Sequence, residues 1–70
     1  MTKDEKIKFV INTFESALPS YMNGRLGQII LKQDEIWLHR YVKSANFEDA
    51  LQNDDTLENA YKAAFNISRM

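Results

Sequence analysis

The apolar residues of the first third recur at a helical interval. Ile7, Val10, Ile11, Phe14 and Leu18 follow one another in steps of three and four, which brings them to one side of an α-helix. Just upstream, Thr2 and Glu5 stand in the T-x-x-E relation of a capping box, in which side chains satisfy the free amides at a helix start. Pro19 disfavours the helical conformation at Leu18. The pattern therefore predicts a helix from about Thr2 to Leu18, with Phe9 on its opposite, polar side. The last third reads the same way. Asp55 and Glu58 have capping-box spacing, and Leu57, Ala60, Tyr61, Ala64, Phe65 and Ser68 share one side while Asn59, Lys62 and Asn66 fall outside it. A helix from about Asp55 to Ser68 follows, preceded by a short helical turn between Asn46, its cap, and Gln52.

The middle stretch QIILKQDEIWLHRYV, Gln28 to Val42, admits two readings. As a β-hairpin turning at Gln33 and Asp34, with strands near 27–32 and 35–43, it pairs Leu31 with Ile36 and Ile30 with Trp37. The isoleucine, tryptophan and tyrosine content suits strands, but Gln-Asp is a poor two-residue turn because the favoured types need positive φ. As a helix it places Leu26, Ile29, Ile30, Trp37 and Tyr41 on one face, with Asp34 and Glu35 early and Arg40 and Lys43 late, as the helix dipole prefers. The whole chain holds two glycines and one proline, too few for a turn-rich sheet. The expected fold is thus an all-α bundle of three main helices plus a short helical turn, the alternative being a helix–hairpin–helix α+β arrangement. Both readings predict a substantially buried Trp37.

A middle helix has more apolar surface than one face can use. Leu31, Leu38 and Val42 form a second stripe about a quarter-turn from the first. A helix apolar over so much of its circumference is central in a bundle or shared with a partner. Leu31, Leu38 and Val42, with Phe9 as an outlying member, are therefore the candidate partner-binding residues. Another protein is the expected partner, and a homodimer is the simplest form, since twofold pairing of like patches is the commonest way for a chain to cover itself.

Size supports this. The 70 residues make one domain, 1–70, and a chain so short buries only about 60% of its unfolded surface. Without cysteine it has neither disulfide nor thiolate metal site, and its single histidine, His39, cannot anchor a zinc site without several carboxylates. No metal and no cofactor are expected. The absence of cysteine suits a reducing compartment, no run reaches the length of a membrane span, and MTKDEKIKF lacks the uninterrupted apolar stretch of a secretion signal. A cytoplasmic protein without membrane contact is the expectation, which also makes the Asn66-Ile67-Ser68 sequon an unused one.

Charge leaves a second functional reading open. The formal net charge is −1, far from the basic balance of most nucleic-acid binders. Yet Arg25, Lys32, Arg40 and Lys43, with His39, Trp37 and Tyr41 among them, hold the cations and aromatics that a nucleic-acid face needs. Asp34 and Glu35 interrupt that patch. Glu48, Asp49, Asp54, Asp55 and Glu58 make the C-terminal third acidic, in part as helix-start charges. Glu35 and His39 could pair as acid and base, but no third group is in view. Ser16, Ser20, Thr56 and Tyr61 lack the glycine-flanked setting of a nucleophile, and Asn23-Gly24-Arg25-Leu26-Gly27 lacks phosphate-loop spacing. An enzyme is not expected. The sequence favours a small regulatory protein, an inhibitor or adaptor, acting through an apolar helical face.

Overall fold

The computed structural model describes residues 1–24 and 31–69. Among these residues there are four helices and no strand. They are α1 (Lys3–Met22), α2 (Lys32–Lys43), α3 (Phe47–Ala50) and α4 (Asp54–Ser68). This is the three-helix bundle with a short fourth helix that the periodicity predicts. The hairpin alternative fails, because its second strand, 35–43, lies wholly within α2.

The capping box opens α1 as expected. The Thr2 N–H donates to Glu5 Oε1 at 3.0 Å and the Glu5 N–H donates to Thr2 Oγ1 at 3.2 Å. The bond that the carboxylate accepts from the Thr2 backbone N–H, followed by its interaction with the Thr2 hydroxyl, holds the pKa of Glu5 below the ordinary carboxylate value. The other end of α1 differs from expectation: the helix runs through Pro19 to Met22. A proline this late forfeits a single helical bond, the one to the Glu15 carbonyl, and both residues face solvent. The stop signal is Gly24, whose φ of 73° is the left-handed conformation that glycine adopts without strain. Its N–H donates to the Tyr21 carbonyl at 3.1 Å, as in a Schellman closure. Gly24 thus ends the first helix.

The core is formed by Ile7, Val10 and Phe14 of α1, Leu38 of α2, Phe47 and Leu51 around α3, and Leu57, Ala60, Ala63, Ala64 and Ile67 of α4. The most extensive packing is between α1 and α4. Three alanines on the inward face of α4 let the two backbones approach closely, and this sets the rotation of the helix. Ala63 and Ile67 turn inward, whereas Phe65, expected on the core side, is 46% exposed. The aromatic volume comes instead from the other elements. Phe47 packs against Phe14, Tyr41 and Trp37 at ring separations of 5.8, 5.4 and 6.3 Å. Trp37 is partly buried in this cluster, less deeply than expected. The cap of α4 also differs from the T-x-x-E-like reading of Asp55 and Glu58. Asn53 is the cap, its Oδ1 accepting from the Thr56 N–H at 3.0 Å, and Glu58 reaches across to Lys6 at 3.8 Å while Asp54 pairs with Lys3 at 3.1 Å. Asn46 caps α3 as predicted, accepting from the Asp49 N–H at 3.3 Å.

Candidate functional site

The rotation of α2 decides which of its residues face outward. Its buried side carries Asp34 and Leu38, with Trp37 and Tyr41 half-turned toward the aromatic cluster. Leu38, expected in the middle of an open apolar stripe, is fully buried. The reason is the helix start. Leu31 is the N-cap, in extended conformation at φ −70° and ψ 148°, so α2 begins only at Lys32 and its inward face is set by residues 32–43. The sequence pattern aligns this face on Leu26, Ile29 and Ile30. Those three residues, and Arg25 of the candidate basic set, lie outside the described residues. The stripe is therefore broken: Leu31, 63% exposed, and Val42, 46% exposed, stand at opposite ends of the helix with a core residue between them.

Leu31 offers no side-chain hydrogen bond to the free amides of α2. Replacing such an apolar N-cap by an acceptor typically contributes about 1 kcal/mol. Leu31→Asp is expected to raise the melting temperature by several degrees, about 4–8 °C per kcal/mol for a domain of this size, as read by thermal circular dichroism.

Val42 lines an open, largely apolar groove with Ile11 and Leu18 of α1, Tyr41 of α2 and Phe47 of α3, to which Ser44, Ala45, Asn46 and Glu48 also contribute. Ile11, Leu18 and Tyr41 are all partly buried. Sequence spacing assigns Ile11 and Leu18 to the core. Their part in a groove depends on the angle at which the α2–α3 corner meets α1, which no local pattern encodes. Phe9 also departs from expectation, since it is partly buried with its ring 5.3 Å from that of Tyr61. It packs against Tyr61 rather than projecting alone, and Tyr61 in turn lines a hollow with the exposed Phe65.

Three of the four candidate cations, Lys32, Arg40 and Lys43, are exposed on α2. Asp34, which seemed to interrupt them, points inward, where its Oδ2 accepts from Asn66 Nδ2 at 3.4 Å. The Arg40 guanidinium lies over the Trp37 ring at 4.5 Å. Ile36, 54% exposed, sits among these cations; in the helix it belongs to neither apolar stripe of the sequence pattern, and only the hairpin would have paired it, with Leu31. Of the acidic set, Asp54 and Glu58 are taken up by Lys3 and Lys6.

His39 does not pair with Glu35. Its Nδ1 lies 3.0 Å from the Tyr21 hydroxyl, joining the last turn of α1 to α2 in a shallow hollow shared with Lys32, Glu35 and Ile36. His39 is solvent-exposed, so the pair has none of the sheltering that acid–base chemistry exploits. Among the described residues no three His, Asp or Glu side chains gather as metal ligands, and no helix is long and apolar enough to cross a membrane.

Comparison with protein-family models, with curated proteins and with solved structures finds no match to this chain.

Proposed function

We propose that this chain is a non-catalytic protein-interaction module, an intracellular adaptor or inhibitor, that offers the groove between α1 and the α2–α3 corner to another protein chain, a second copy of itself in the simplest case. What supports this reading is the half-exposure of Val42 beside Ile11, Leu18 and Tyr41. A contiguous apolar surface of this kind generally marks a contact site. Fully covering one aliphatic side chain contributes about 1.5–3 kcal/mol.

The test is Val42→Glu. Val42 lies outside the core, so the variant is expected to keep its helical circular dichroism and to melt within about 0.5 kcal/mol of the parent in stability. In sedimentation, the parent should gain mass with concentration while the variant stays monomeric. If the parent is monomeric at millimolar concentration, a foreign protein is the remaining occupant. Parent and variant should then capture different partners from the source cell, and identical partner sets would remove the groove from consideration.

A further inference from the structure

The outer face of α2 carries a second surface, independent of the Val42 groove. At 100° per residue, His39, Lys32, Lys43, Ile36 and Arg40 fall within an arc of about 100°. All five are exposed, with Ile36 at 54%. Among the described residues the ion pairs are Lys3–Asp54 and Lys6–Glu58, both between α1 and α4. The cations of α2 therefore have no carboxylate partner there, and residues 25–30, RLGQII, contain no acid. Of the two acids of α2, Glu35 stands at the border of the face, beside Lys32 and His39, and Asp34 is turned away into the bundle. Among the described residues, α2 thus displays cations outside any ion pair around an apolar centre, on a chain whose net charge is −1.

We propose that this face binds an acidic amphipathic helical segment of a partner protein, with an apolar side chain seated on Ile36 and carboxylates reaching Lys32 and Lys43. The two lysines are eleven residues apart on α2, about 16 Å at 1.5 Å per residue, so the segment spans about three helical turns. Charge complementarity selects acid on the partner. The apolar centre selects a protein segment over a nucleic acid. A phosphate backbone gains nothing from an isoleucine, and the ring that would stack on a base is already engaged: Trp37 has Arg40 over its face and Phe47 against it edge-on.

The probe is a peptide of about sixteen residues, capped at both ends, with glutamates flanking a leucine-isoleucine stripe. It is titrated into the isotopically labelled protein and followed by amide and methyl shifts and by fluorescence anisotropy. The expected result is perturbation of Ile36, Lys32 and Lys43, and at least about tenfold weaker binding both in Lys32→Glu/Lys43→Glu and in Ile36→Ser. A lysine-for-glutamate version of the peptide should recover binding to the charge-reversed protein, an arm that separates lost complementarity from lost folding. A peptide that leaves Ile36 unperturbed overturns the proposal. So does a DNA duplex that binds more tightly than the peptide and is indifferent to Ile36→Ser, which makes the face a phosphate reader. Self-association abolished by Lys32→Glu/Lys43→Glu, with no peptide binding, overturns it in favour of a second copy on this face.

Discussion

Phe47→Ala is expected to lower the melting temperature by at least about 12 °C, and at 37 °C to leave much of the chain unfolded. Phe47 is 7% exposed and touches the rings of Phe14, Tyr41 and Trp37. Removing a buried phenyl costs about 3–5 kcal/mol, and lost edge-to-face contacts add about 0.5–1.5 kcal/mol each at most. A chain of 70 residues has roughly 4–10 kcal/mol of total stability, and each kcal/mol moves the midpoint by about 4–8 °C. The four residues of α3 have no other buried side chain to hold them, so the loss also frees the α2–α3 corner and with it one wall of the groove. Thermal circular dichroism reads the first effect and the methyl shifts of Val42 and Leu18 the second. A variant that melts with the parent would mean that α3 is an appendage and not part of the core.

Leu38→Ala and Val42→Ala should separate by at least about 1.5 kcal/mol although they lie one helical turn apart. Leu38 is fully buried beneath α2, and its truncation costs about 2–5 kcal/mol, the larger values where the cavity cannot collapse. Val42 is 46% exposed, and a surface truncation stays within about 0.5 kcal/mol. Urea midpoints at a protein concentration low enough to exclude association make the comparison. Equal losses would restore the unbroken Leu31–Leu38–Val42 stripe and require α2 to rotate about its axis.

What the sequence disclosed follows the range over which its signals act. The T-x-x-E pair at Thr2 and Glu5 and the cap at Asn46 satisfy bonds three residues away, and both were legible. The interval from Ile7 to Phe14 is legible for the same reason, being set by one helix alone. Where two signals stand close together, spacing alone does not rank them. Asp55 with Glu58 resembles a capping box, but Asn53 two residues earlier takes the amide, and Pro19 looks like a stop although Gly24 is the one. The rotation of α2 was not legible. It depends on the interruption at Leu31, and apolar residues on both sides of that point mimic one continuous helix. Phe47 was not legible as the centre of the core either, because a helix of four residues is too short to show a period. Of the candidate sites, the exposed cations Lys32, Arg40 and Lys43 and the half-exposed Val42 lie where a helical reading of α2 puts them, whereas Ile36 emerged only once Asp34 and Leu38 had been turned inward.

Pro19 gives the first helix two different stabilities along its length. Without an N–H at that position, the turn from Ser20 to Met22 is joined to the rest of α1 by one bond fewer than any turn before it. Apart from Tyr21, which packs against the core and bonds His39, it has little to lose on opening. Such a segment behaves as its own unit of local unfolding. Amide hydrogens near Tyr21 and Asn23 then exchange with solvent through fraying, while those between Val10 and Phe14 must await opening of the whole bundle. The Tyr21–His39 contact is accordingly expected to open with this last turn without unfolding of the bundle, and faster amide exchange at Tyr21 than at Val10 to Phe14 would show it.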